Sequence, residues 1–247
     1  MSRYFDLMQE LEKDQEFRFD QQINPDFPTP GEDRNGNAGY SSSDSTLTLV
    51  QRIFLQQAQD SPRLVVFAGI DHGNGCSQIV TSVAETLARN APGSVCLVEA
   101  NFRSPGLPGI LGTTNYHGLT DALANEGSIR SFLKPVFDGR LWLLSSGPLT
   151  ADSASLLTSQ RMSARCAELR KEFDFVIVDA PPMTRYADAI SLGLLSDGVV
   201  LVLEANSTHR ETALAATESL RSSGIKILAA VLNKRTFPIP EGINNKL

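Results

Sequence analysis

The chain has 247 residues, 41% of them hydrophobic, with a net charge of -6 and a pI near 5.1. That length accommodates one large α/β domain with tails, and the apolar content supports a sizeable core. The acidic balance argues against a general attraction to nucleic acid or anionic lipid, and the sequence holds no run of about 18 apolar residues that would read as a membrane span.

The first segment, residues 1–18, places Tyr4, Leu7, Met8 and Leu11 at helical spacing among acids and Gln, and predicts an amphipathic helix. Its charge is wrong for a signal peptide. Residues 19–46 are rich in Pro, Gly, Asn and Ser and predict a flexible linker. Leu47–Gln57 then reads as a helix leading into a domain that spans residues 47–236, followed by a Pro-containing tail at 237–247. Three scattered cysteines and three scattered histidines lack metal-ligand spacing, which suits a reducing cytoplasm.

Within the domain, apolar strands alternate with amphipathic helices. Strands are predicted at Leu64–Ala68, Ser94–Glu99, Leu141–Leu144, Phe173–Val178, Val199–Leu203 and Ile225–Leu232. Helices are predicted at Ser77–Asn90, Leu119–Ala124, Ala154–Glu172, Tyr186–Leu195 and His209–Ser223. This order implies a doubly wound, mostly parallel sheet with helices on both faces, as in P-loop NTPases.

In such a sheet ligands collect at the carboxyl ends of the strands. The first loop there, Gly69–Ser77, has the outline of a phosphate-binding loop, which reads G-x-x-x-x-G-K-[ST]. Gly73, Asn74, Gly75 and Ser77 stand in its frame, but Cys76 occupies the lysine position and Ile70 that of the first glycine. The glycines would turn backbone N–H groups towards an anion, and Ser77 would ligate Mg²⁺. The missing lysine removes charge-assisted hydrogen bonds worth about 1.5–3 kcal/mol each. Asp71 in the same loop would repel phosphate. Cys76 at a helix N-terminus also reads as a thiolate of lowered pKa. A phosphatase-like Cys-x5-Arg pattern would need an arginine at position 82, where the chain has Ser82.

Three further loops complete the candidate site. Glu99 in LVEANFRSP is a candidate to hold Mg²⁺ or to polarise an attacking group, and Arg103 a candidate to contact phosphate or to pair with an acid. Asp179 ends the apolar run VIVD before Pro181 and Pro182, the Walker-B arrangement that holds Mg²⁺. Asn233 in VLNK is a candidate to bond an adenine edge, or else a helix or strand cap.

Together these motifs resemble the cytoplasmic ATPase domain of bacterial tyrosine kinases that accompany polysaccharide co-polymerases, within the deviant-P-loop group that includes the Min and Par ATPases. The resemblance covers roughly residues 45–235. The family's P-G-E-G-K-S matches His72–Ser77, and its L-I-D-A-D-x-R-x-P matches Leu97–Pro105. FDFVIVDAPP at 173–182 and DGVVLVLEA at 197–205 are similar as well. The departures fall on the chemistry. Cys76 replaces the phosphate lysine, Asp71 the partition ATPases' signature lysine, and Glu99 and Asn101 two aspartates. Leu47 and Val50 stand where the ring-forming E-x-x-R-x-x-R helix carries arginines, and the tail lacks a tyrosine cluster.

The resemblance therefore implies a protein of exopolysaccharide or capsule biosynthesis and export, degenerate at its phosphate site. It would dock on and regulate a membrane polysaccharide co-polymerase or chain-length regulator. Assembly as a homo-oligomer, or as a hetero-oligomer with an active kinase, is implied too. So is a cytoplasmic location, with recruitment to the membrane by the partner. The alternative is an active ATP-dependent tyrosine autokinase or ATPase. Asp179, Glu99, Arg103 and Ser77 would then handle ATP or ADP with Mg²⁺, and Tyr4 or Tyr40 would be acceptors. A partition-type scaffold binding DNA or membrane is a third reading, which the net charge of -6 does not support.

Overall fold

The computed structural model describes residues 42–55, 61–137, 139–150 and 152–235. The readings of a helix at 1–18, of most of the linker and of the tail lie outside these residues. The chain divides into two units, residues 1–45 and 46–247. The architecture below is that of the second, with the helix that begins at Ser42 and runs into it.

Helix α1 spans Ser42–Phe54 and so begins five residues ahead of the predicted Leu47. The Ser- and Asp-rich stretch read as linker supplies its first turn, where Asp44 complements the helix dipole. Its far end is anchored by apolar packing. Val50, Ile53 and Phe54 are buried in the core, and Phe54 meets the Phe175 ring edge-on at 5.9 Å.

Seven strands follow: β1 (Leu64–Gly69), β2 (Val95–Glu99), β3 (Lys134–Phe137), β4 (Leu141–Leu144), β5 (Phe175–Ala180), β6 (Gly198–Glu204) and β7 (Ile227–Asn233). They form one sheet in the order β3-β4-β2-β5-β1-β6-β7, parallel except for β3 against β4. β1 and β2 are buried at every position, which is why they read as unbroken apolar runs rather than alternating ones. Helix α2 (Cys76–Asn90) buries Val80, Val83, Ala84, Leu87 and Ala88, the spacing of a single core-facing stripe.

Three elements differ from the sequence reading. The single helix predicted over Ala154–Glu172 breaks at Ser159. A 3-10 turn covers Ser153–Thr158, and Ser159 Oγ accepts the Met162 N–H at 3.3 Å to start helix α5 (Gln160–Glu172). A short helix α3 (Leu107–Ile110) forms in the Pro- and Gly-containing LPGI, and strand β3 adds an edge. Helices α4 (Leu119–Ala124), α6 (Asp188–Gly193) and α7 (Arg210–Ser222) complete the connections.

The amino ends of the central strands are stitched by ions. Asp197 Oδ2 accepts the backbone N–H groups of Arg63 and Leu64 at 2.7 and 2.8 Å and the Arg170 guanidinium at 2.8 Å. Arg63 Nε donates to the Asp174 carbonyl, and the Asp174 carboxylate accepts the Ser94 N–H at 2.8 Å. Burial pushes Asp197 up, but the bonds from Arg170 and the two backbone donors outweigh it and hold the carboxyl below the usual range.

Candidate functional site

The carboxyl end of β1 passes into the phosphate loop. Ile70, in place of the first glycine, is fully buried and donates its N–H to the Val202 carbonyl at 2.9 Å. Its side chain belongs to the core. Asn74 is also buried. It donates Nδ2 to the Val202 carbonyl at 2.7 Å and accepts the Cys76 N–H on Oδ1 at 3.2 Å. A Cβ at Gly69 would run into the Asn74 amide, so only glycine fits there. Gly75 has φ +82 and closes the loop at the start of α2, with Asn233 Nδ2 only 2.5 Å from where a Cβ would sit. Both its φ and its neighbour demand glycine.

Two residues at the end of β7 hold this loop from outside. Asn233 Nδ2 donates to the Asn74 carbonyl at 2.8 Å. Lys234 Nζ donates to the Gly73 carbonyl at 2.6 Å and lies 3.1 Å from Glu204 Oε2. The Asn233 amide, read in the sequence as a candidate for an adenine edge or a cap, thus gives one N–H to the loop backbone.

Cys76 begins α2 under that loop. Burial, and then the negative charge of Asp179 beside it, push its thiol well above the ordinary range. The thiolate reading is overturned: the helix N-terminus does not rescue a thiol that is desolvated next to a carboxylate. Cys76 is a neutral group in the lysine's place.

Ser77 Oγ donates to Asp179 Oδ2 at 2.5 Å. Asp179 is fully buried, and its Oδ1 has no hydrogen-bond partner among the described residues. Glu99 stands directly opposite Asp179 in the β2–β5 register. Its Oε2 accepts the N–H groups of Gly106 and Leu107 at 2.8 and 2.7 Å, which caps α3, while Oε1 is buried and has no partner among the described residues. Burial, and then the charge of Asp179, raise the Glu99 carboxyl to about 8. Burial raises Asp179 to about 6, eased by the Ser77 bond. Two buried carboxyls face each other with no lysine between them, and burial together with their mutual repulsion favours keeping a proton on the pair. Asn101, where the family pattern has an acid, accepts the Ser104 N–H and forms a turn.

Arg103 extends towards the loop after β5. Its Nε is 3.6 Å from Asp188 Oδ2, and its guanidinium sits 4.5 Å from the Tyr186 ring centroid. Above these groups lies a cavity of about 530 Å³, lined by the phosphate loop and by Arg103, Arg185, Tyr186 and Lys234. Glu99, Asp179 and Asn233 are not among its lining residues, although Ser77, bonded to Asp179, is. Sequence reading did not single out Arg185, Tyr186 or Lys234. The available signal was position: Arg185 falls in the loop after the Walker-B-like strand, and Lys234 directly follows Asn233.

Among the described residues no group of three or more His, Cys, Asp and Glu is set to hold a metal ion by itself. The Ser77 hydroxyl and the free Asp179 oxygen are hard oxygen donors of the type Mg²⁺ takes together with phosphate oxygens, so these two fit a nucleotide-borne ion. Among the described residues no helix is long and apolar enough to cross a membrane. Of the four tyrosines, Tyr116 is exposed and Tyr186 half-buried, while Tyr4 and Tyr40 lie outside the described residues.

No family model matches the chain. It is 33% identical over 161 residues to the tyrosine-protein kinase YwqD of Bacillus subtilis, covering 65% of this chain and 68% of that protein. Its fold superposes on the chimerical protein CapA2B2 with a TM-score of 0.74 and 23% identity, over 81% of this chain and 88% of the other. The septum site-determining protein MinD of Pyrococcus horikoshii, solved in complex with Mg-ADP, gives a TM-score of 0.60 and 18% identity, over 73% and 75% of the two chains. The sheet with its flanking helices is thus the P-loop NTPase-like fold of these proteins.

Proposed function

The chain belongs to the bacterial tyrosine-protein kinase family, and from that premise we propose that it serves exopolysaccharide or capsule assembly as a regulatory or docking partner of a membrane polysaccharide co-polymerase, not as a phosphotransferase. One observation carries this reading: the loop position that holds the phosphate cation is a buried, neutral thiol facing Asp179. Phosphoryl transfer rests almost wholly on positioning and on charge aimed at the moving phosphoryl group. Here the loop offers backbone N–H groups and no cation.

The remaining groups fit binding better than turnover. Ser77 and Asp179 would hold Mg²⁺, which when bound neutralises phosphate charge. Glu99 spends one oxygen on capping α3. Arg103 is turned to Asp188 and Tyr186. A second reading, an ATP-dependent autokinase of the same pathway, is favoured by the cations that line the cavity from outside the loop.

Incubation of the full chain with Mg-ATP, read by anti-phosphotyrosine blot and phosphate release, separates the two. We expect neither product from the natural chain, and recruitment to membranes when the co-polymerase is co-expressed. Phosphotyrosine formed by the natural chain and abolished by Asp179→Asn would overturn the docking reading. Cys76→Lys restores the loop cation beside the two carboxyls, and should raise Mg-ADP affinity by about tenfold or more.

A further inference from the structure

The cavity has lost the charge of its own loop, yet cations reach it from three other loops. Arg103 comes from the segment after β2, Arg185 from the segment after β5, and Lys234 from the end of β7. They are not equivalent. Arg103 is engaged by Asp188 and by the Tyr186 ring. Lys234 is balanced by Glu204, but its Nζ already rests on the phosphate loop at Gly73. Arg185 is exposed and makes no ion pair among the described residues.

The placement of Arg185 is fixed by backbone. Met183 and Thr184, immediately before it, donate their N–H groups to the carbonyls of Gly69 and Ile70 at 2.9 and 3.1 Å. The loop after β5 is thereby strapped to the root of the phosphate loop, and Arg185 is carried to the same cavity. Opposite charge on the wall is limited to Asp71. A volume of about 530 Å³ suits a ligand of nucleotide size. An uncharged or cationic occupant would leave Arg185 without a partner, whereas a polyphosphate would meet it and Lys234 together.

We infer that the cavity binds a nucleoside diphosphate or triphosphate whose phosphates are gripped by Arg185 and Lys234 in place of the missing loop lysine. This rests on the family reading of the cavity as a nucleotide site. It deepens the docking role, because a nucleotide held without transfer would make occupancy, rather than phosphorylation, the signal.

Isothermal titration of the full chain with Mg-ADP tests it, using the natural chain, Arg185→Ala, Arg185→Lys and Lys234→Gln. The natural chain should bind. Arg185→Ala should weaken binding on the order of ten- to a hundredfold, with partial recovery in Arg185→Lys and a smaller loss in Lys234→Gln. Inorganic pyrophosphate, which carries only the phosphates, should compete with ADP on the natural chain. Thermal melts of all four proteins should agree within a few degrees, since Arg185 has no ion pair to lose and Lys234 is half exposed. Failure of the natural chain to bind Mg-ADP, equal binding by all variants, or no competition by pyrophosphate would overturn the inference. The docking reading fails on a different result, phosphotyrosine formation, which this titration does not read.

Discussion

The two ends of the central strands carry similar residues in opposite conditions. At the amino ends, Asp197 faces two backbone donors and an arginine, and Asp174 is bonded to Ser94. Every charge there is answered. At the carboxyl ends, Glu99 and Asp179 stand side by side in the same sheet, each with one buried oxygen lacking a partner among the described residues, next to a neutral thiol. One edge of the sheet uses carboxylates to close the fold, and the other keeps them under-satisfied. Unmet polar groups cost stability and persist where a ligand completes them. The contrast sets satisfied and under-satisfied carboxyls at opposite ends of the same strands.

The largest effect that probes this contrast is pH. Glu99 and Asp179 hold protons more tightly in the fold than in the unfolded chain. The stabilisation is therefore full below the ordinary carboxyl range and is lost as pH rises through about 6 for Asp179 and about 8 for Glu99. Stability should fall by up to roughly 1.4 kcal/mol per pH unit for each of the two groups, so the profile should be steepest below about pH 6, where both contribute, and about half as steep between 6 and 8, where Glu99 alone does, as measured by urea unfolding at stepped pH. Glu99→Gln should flatten most of the slope. Asp197, held below the usual range, contributes nothing here because its own loss of stability comes at more acidic pH. A flat profile in the natural chain would break the comparison.

Next in size is Asp197→Asn. An amide offers one acceptor where a charged group met three donors, and the chain should lose about 2–3 kcal/mol in denaturant titration at neutral pH. The smallest effect has the opposite sign. Asp179→Asn keeps an acceptor for Ser77 and removes a buried charge, and should stabilise the ligand-free protein by about 1–2 kcal/mol near pH 8. If both asparagine variants destabilised alike, the carboxyl edge would be as satisfied as the amino edge.

The frame of the molecule was legible because it is written in long apolar runs. β1, β5 and β6 are buried on both faces, and helix α2 shows its stripe in spacing alone. Strand β3 was missed because its four residues are KPVF, half-exposed, with a proline and a register shift at the sheet edge. Helix α3 was missed because LPGI has no helical signal of its own and depends on Glu99, seven residues away, for its cap. The same dependence limits the site. Gly73, Gly75, Ser77 and Asp179 can be placed from pattern. That Asn74 and Asn233 serve the loop backbone, that Cys76 is neutral, and that Arg185 reaches the cavity all follow from contacts between segments more than a hundred residues apart or from burial, which no local spacing records.

The clamp of Asn233 on the Asn74 carbonyl joins residues 159 positions apart. The loop belongs to the first strand to be made, and its fastener to the last. At about 5–20 residues per second on the ribosome, roughly ten to thirty seconds separate the two. During that interval the loop exists without its pin, and closing so long a span is among the slower steps of folding. The loop is thus fastened only when the sheet is complete, and a chain that stops before β7 lacks both the Asn233 and the Lys234 bonds to it.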